Sequence, residues 1–192
     1  MRSNNIRAIL FLIVLVIFSF PLTAEDSRTI PLDLNLIIDG SSSLETFKND
    51  AVAWISEKVV DRILVAGDKI TIWTAGDKAQ VIYSDTLSGT TGKQEIKDKL
   101  KALGTSGKTA DFSGALRDAA ARVSQTAADR LAVTMLITAS AEGLEPTLTG
   151  SAQGLLRWFR SEQYERWQVL IVGPEIGKKV QQAAAAYMSS RR

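Results

Sequence analysis

Two kinds of hydrophobic pattern alternate along this chain. Short runs rich in apolar and β-branched residues predict strands, and longer stretches with an apolar residue every three or four positions predict amphipathic helices. The strands are predicted at 31–38, 69–74, 79–84, 131–138 and 167–172. The helices are predicted at 42–64, 93–103, 111–125, 151–163 and 176–188.

The order of these elements predicts the fold class. Helices alternate with apolar strands, which is typical of a doubly wound α/β domain with a mostly parallel central sheet and helices on both faces. The strands at 69–74 and 79–84 are joined by only four residues, so they form an antiparallel hairpin, which we expect at one edge of the sheet.

Composition narrows the classes of function. The chain has 192 residues, 45% of them hydrophobic and 23% charged, which fits one folded domain with a sizeable core. It contains no histidine and no cysteine. A Ser-His-Asp hydrolase, thiol catalysis, cysteine zinc sites and disulfides are therefore excluded.

The first 24 residues resemble a secretory leader. Arg2 and Arg7 precede an apolar stretch at 8–20, and Ala24 offers a small residue for cleavage before Glu25. We expect a signal peptide at 1–24 and a single domain at 25–192, exported to a periplasm or the cell exterior. The alternative is a leader retained as a membrane anchor, which is the only membrane contact expected.

Charge gives no reason to expect nucleic acid as a partner. Without the two leader arginines, the 23 basic residues become 21, which equals the 21 acidic residues. The sequence pI of about 8.9 is thus partly a property of the leader, and no basic surface is indicated.

Residues 39–43, Asp-Gly-Ser-Ser-Ser, carry the candidate chemistry. They follow the first predicted strand and precede the first predicted helix, at the sheet edge where α/β proteins usually bind ligands. Two interpretations are open. The carboxylate and hydroxyls could form a ligand site, or they could only cap the helix, with Ser42 as N-cap and Glu45 completing a capping box.

With the strand before it and the helix after it, this stretch resembles the Asp-x-Ser-x-Ser motif of von Willebrand factor A domains. The resemblance covers roughly residues 29–188. It implies a metal-ion-dependent adhesion site in which Asp39, Ser41, Ser43 and Thr109 hold Mg²⁺, or Mn²⁺ or Ca²⁺ in its place. In such a site a protein partner presents a carboxylate that completes the coordination shell, and the cation serves binding rather than catalysis.

The chain departs from the family pattern at two positions. Thr109 fits the Gly-x-Thr element counted from Gly107, whereas counting back from the following helix places the ligand at Ala110. The family's second carboxylate would follow Thr138, where this chain has Ala139. With Asp39 as the single carboxylate, we expect weak metal binding or none.

The sequence therefore predicts an exported, non-enzymatic protein-binding module, with a metal-independent scaffold domain as the alternative. A third hypothesis is an enzyme, either nucleotide-dependent or hydrolytic, since residues 102–109 nearly match a nucleotide-binding loop, with Ala102 in place of its first glycine. However, that motif requires a preceding buried strand, and here a helix is predicted. The four tryptophans are predicted to be core or partly buried, and Trp158 or Trp73 is the favoured candidate if one of them is a surface anchor. Glu142 and Glu145 either form a partner-facing rim or serve only solubility.

Overall fold

The computed structural model describes residues 28–140, 164–174 and 176. The predicted leader, the helix at 151–163 and all but the first residue of the helix at 176–188 lie outside the described residues. So do Trp158, Glu142 and Glu145.

The strands form where the apolar runs predict them. They are β1 (Leu32–Asp39), β2 (Lys69–Ala75), β3 (Ala79–Thr86), β4 (Leu131–Ile137) and β5 (Trp167–Val172). The first helix is composite: a 3₁₀ segment (Ser42–Phe47) leads into α1 (Lys48–Trp54), which continues as a π segment (Ile55–Asp61). The other described helices are α2 (Thr90–Lys101) and α3 (Phe112–Val123).

The five described strands make one sheet in the order β3-β2-β1-β4-β5. β1 pairs in parallel with β2 and β4, and β4 pairs in parallel with β5. β2 and β3 pair antiparallel. The predicted fold class, a mostly parallel sheet with one antiparallel edge hairpin, is confirmed.

Helices cover both faces of this sheet, so the alternating side chains of β1 enter two separate cores. Leu36 and Ile38 pack with residues of the composite first helix and α2, whereas Ile37 packs with α3. Trp73 belongs to the α3 core and is 0% exposed, which confirms its prediction as a core residue and excludes the alternative of a surface anchor. Its position on an inner strand outweighs the tendency of tryptophan to keep a polar tip in water.

Ionic contacts fix the amino-terminal edge of the sheet. The Asp68 carboxylate, which is 0% exposed, accepts hydrogen bonds from the backbone N–H of Leu32 and of Val65, both at 2.9 Å. Arg28 Nη2 lies 2.5 Å from the same carboxylate. None of the described helices is long and apolar enough to cross a bilayer.

Replacing Asp68 should test how far this edge supports the fold. Asp68→Ala removes the acceptor of the Leu32 and Val65 N–H groups and the carboxylate paired with Arg28, so we expect unfolding free energy to fall by about 3–5 kcal/mol. Asp98→Ala is the matched control, because Asp98 pairs with Lys101 at 3.9 Å on an exposed helix face. It should cost less than about 1 kcal/mol in urea unfolding. Equal losses of unfolding free energy in the two variants would contradict a stabilising role of Asp68.

Candidate metal centre

A buried carboxylate lies at the carboxyl end of the central strand. Asp39 is the last residue of β1 and is 1% exposed. Its Oδ1 accepts hydrogen bonds from Ser41 N at 2.9 Å and Ser41 Oγ at 2.6 Å. Its Oδ2 accepts from Ser43 Oγ at 3.2 Å and Thr138 Oγ1 at 3.0 Å. We call Asp39, Ser41, Ser43 and Thr138 the oxygen cluster.

The two serine hydroxyls also contact each other, with Ser41 Oγ 2.8 Å from Ser43 Oγ. The predicted capping box is wrong. Ser41, not Ser42, occupies the N-cap position, and no side chain caps the helix there. Glu45 instead accepts a hydrogen bond from Thr105 Oγ1. The serines turn to Asp39 because hydrogen bonds to a carboxylate are stronger than those to neutral groups.

Thr138 was not among the predicted ligands, although the structure brings it to Asp39. The register pairs Ile38 with Ile137, so the residues that follow them lie side by side at the sheet edge. Thr138 Oγ1 also lies 2.9 Å from Ser140 O, and its single proton serves one acceptor at a time. The sequence does contain a signal for Thr138, because it is a single threonine at the end of an apolar strand that is expected beside β1.

Close packing of three glycines sets the loops around the cluster. Gly107 N donates to Gly40 O at 3.0 Å, and Ser42 N donates to Gly107 O at 2.8 Å. A Cβ on Gly107 would lie 3.0 Å from Gly76 Cα. The loop before α3 is therefore held against the first residues after β1 by direct backbone contact.

Thr109 lies on this same loop, but its polar groups bind Asp77 rather than the cluster. Asp77 Oδ1 accepts from Lys108 N at 2.8 Å, Thr109 N at 3.0 Å and Thr109 Oγ1 at 3.3 Å. The backbone N–H of Thr109, followed by that of Lys108, lowers the pKa of the Asp77 carboxyl below its ordinary value. Within the described residues, no hydrogen bond joins Thr109 to Asp39. Ala110 packs against the α3 core.

The side chains of the oxygen cluster are the type of ligand that a hard cation prefers, but their total negative charge is too low to balance a dication. Asp39, Ser41, Ser43 and Thr138 offer only oxygen, which Mg²⁺, Mn²⁺ and Ca²⁺ prefer. Ala139, at the position of the expected second carboxylate, is 6% exposed and packs in the core. In the described part of the chain, no three carboxylate, histidine or cysteine side chains gather in a group suited to a metal. One carboxylate leaves half of a dication's charge unbalanced.

The loop resembling a nucleotide-binding motif lacks the context of such a site. It follows α2 rather than a strand, as the sequence predicts. The backbone N–H of Lys108, which a phosphate would need, already donates to Asp77. Nothing in this geometry favours a phosphate at Gly107.

The fold is that of a von Willebrand factor A domain. A von Willebrand factor type A protein from Catenulispora acidiphila superposes with a TM-score of 0.55 at 18% identity over 74% of this chain and 33% of its own. Proximal thread matrix protein 1 from the mussel byssus, in a structure titled as having a zinc-occupied MIDAS motif, gives 0.57 at 14% over 75% and 38%. Manganese-loaded TRAP protein from Plasmodium vivax gives 0.56 at 14% over 74% and 57%.

These similarities confirm the predicted resemblance at the level of the fold. The chain matches between a third and somewhat over half of the length of these three structures. No protein-family model matches the sequence, and no curated protein matches it significantly.

Substitution of Gly40 should disturb the loops that surround the oxygen cluster. An added Cβ would lie 2.5 Å from Thr74 Oγ1 and 2.9 Å from Gly76 N, so Gly40→Ala must move backbone. We expect a loss of about 1–3 kcal/mol in unfolding free energy. Gly104→Ala is the control, since its Cβ would meet nothing within 4 Å. That variant should be unchanged or up to about 1 kcal/mol more stable. An unchanged unfolding free energy in Gly40→Ala would contradict the close packing around Gly40.

Proposed function

We propose that this chain is an exported, non-enzymatic protein-binding module that contacts its partner through the face around residues 39–43. The observation that carries the proposal is the oxygen cluster, in which three hydroxyls surround one buried carboxylate at the ligand-binding edge of an α/β sheet. The cluster is open to a partner on one side, because Ser42 and Ser43 are exposed.

The cluster would hold Mg²⁺, Mn²⁺ or Ca²⁺ only weakly, through Asp39, Ser41 and Ser43, with Thr138 beside them. Thr109 would join them only by leaving Asp77. A partner that presents a carboxylate would supply the second negative charge that Ala139 does not provide. The zinc-occupied MIDAS motif named for the byssus structure and the manganese named for the TRAP structure support a divalent cation as the ligand of this chain.

Neighbouring apolar surface also favours a protein partner. Phe47 and Trp54 are 39% and 37% exposed. They line a cavity of about 460 Å³ that reaches Thr138, so this aromatic surface adjoins the cluster. Aromatic side chains dominate the binding energy of protein interfaces. An apolar side chain of the partner would fill this cavity beside the carboxylate contact.

A metal-independent scaffold domain is the second candidate, and a specific observation favours it. Asp39 accepts up to four hydrogen bonds, one from a backbone N–H and as many as three from hydroxyls. The buried charge is thereby satisfied with no cation present. In this case the same face would bind its partner through hydrogen bonds and apolar contacts alone.

Calorimetric titration with Mn²⁺ and Mg²⁺ separates the two candidates. The unmodified chain should bind Mn²⁺ with a Kd of roughly millimolar. Asp39→Ala should give no binding heat. Ala139→Asp adds the second carboxylate and should tighten binding by about tenfold or more, since affinity follows ligand charge. Ala121→Asp, an exposed position on α3, adds the same charge at a distance and should behave like the unmodified chain.

Circular dichroism should first show that all four proteins are folded. No heat and no thermal shift at millimolar metal in the unmodified chain would contradict the metal-dependent form and leave the scaffold form. If Ala139→Asp and Ala121→Asp respond alike, the cation does not sit at the cluster. Partner binding that withstands a chelator would also support the scaffold form.

A further inference from the structure

A second polar site lies at the opposite edge of the sheet from the oxygen cluster. Asn35 interrupts the apolar run of β1, and the register aligns it with Thr134 on β4 and Thr71 on β2. Thr71 is in turn aligned with Ser84 on β3. A row of four polar residues thus crosses four strands. Asn35 lies on the same face as Ile37, which packs in the α3 core.

All members of this row except Asn35 have side-chain partners. Thr134 Oγ1 accepts from Trp167 Nε1 at 2.8 Å, and Thr71 Oγ1 lies 3.0 Å from Ser84 Oγ. Asn35 is 5% exposed, and its amide makes no side-chain hydrogen bond to any described residue. The amide atoms of Asn35 are not among the fully buried polar atoms that lack a partner, so they reach the adjoining cavity, where water or the oxygens of a ligand can bind them.

The Asn35 side chain borders a cavity of about 180 Å³ that opens to solvent. Lys69, Thr71, Arg122 and Gln125 line the same cavity. At about 30 Å³ for each water, it has room for about six waters or one small organic molecule. Its lining is polar on a sheet face that is otherwise apolar.

The charge of the lining is positive. Lys69 and Arg122 form no ion pair within the described part of the chain. Arg122 is instead positioned by stacking, with its guanidinium 5.4 Å from the centre of the Trp73 ring. Asp33, the one carboxylate in the lining, is neutralised by its pair with Arg130. Two cations therefore remain available to an anion.

From this convergence we propose that the cavity binds a small oxyanion, either a dicarboxylate or a phosphate. Lys69 and Arg122 neutralise its charge, and Asn35 and Thr71 bind its oxygens. Carboxylate and phosphate oxygens are the groups that an arginine fork and an amide bind together best. The site is separate from the oxygen cluster and needs no divalent cation, so it stands whether or not the metal-dependent proposal does.

The test is a titration of the full chain with sodium succinate and, separately, with inorganic phosphate, each against sodium chloride of equal ionic strength. The readout is the indole N–H resonance of Trp73, assigned with Trp73→Phe. That N–H is buried without a partner and lies in the ring under Arg122. We expect a saturable shift with a Kd of roughly millimolar from at least one of the two anions.

Matched variants distinguish anion binding in the cavity from a general effect of the protein's positive charge. Lys69→Ala should weaken binding about tenfold, whereas Lys99→Ala, an exposed lysine on α2, should leave it unchanged. Asn35→Leu should fold and lose the response. A response to succinate alone identifies an organic dicarboxylate, and one to phosphate alone a phosphate. No saturable response to either anion, or equal effects of the two lysine variants, would overturn the proposal.

Discussion

The burial of one negative charge constrains this structure more than any other contact. Asp39 ends the central strand, with β2 on one side and β4 on the other, and only 1% of its surface is exposed to water. A buried charge must be matched by hydrogen bonds or by a counterion. The chain supplies up to four hydrogen bonds, one from the backbone N–H of Ser41 and three from the hydroxyls of Ser41, Ser43 and Thr138. The loops that follow β1 and β4 are positioned so that their residues can donate hydrogen bonds to the Asp39 carboxylate.

The same constraint explains why the site is ambiguous in function. A carboxylate that is already satisfied gains less from a cation, and the hydroxyls must turn their lone pairs toward the metal to bind it. Ala139 removes the charge that would favour the metal state. A second carboxylate could come from a partner, which would make metal binding and partner binding mutually dependent. Such a dependence of metal binding on partner binding would distinguish the metal-dependent binding module from the metal-independent scaffold domain.

The fold was predictable from the sequence because hydrophobic pattern determines which segments are buried. The bounds of β5 agree with the prediction, and the hairpin follows from a link of only four residues. The site was predictable only where its residues are close in sequence, as in 39–43. Thr138 and Asp77 contribute through strand register and loop packing, which local pattern does not encode. The capping box failed because the helix begins one residue earlier than predicted, with Ser41 at the N-cap, and the Ser41 hydroxyl binds the buried Asp39 carboxylate.

The two ends of the strands carry different polar groups. The carboxyl end has a buried carboxylate and its hydroxyls, whereas the cavity toward the amino end is lined by Asn35, Lys69 and Arg122, the last two without an ion pair among the described residues. Trp73 packs in the core between β2 and α3, as predicted, and its ring lies under the guanidinium of Arg122.

A crystal structure of the full chain soaked in millimolar Mn²⁺ tests the central claim most directly. The metal-dependent account predicts an anomalous peak within coordination distance of Asp39, Ser41 and Ser43, with water or a neighbouring carboxylate in the remaining positions. The same crystal structure would show whether Thr109 leaves Asp77. Absence of a peak, with the four hydrogen bonds to Asp39 unchanged, would contradict a cation at this site.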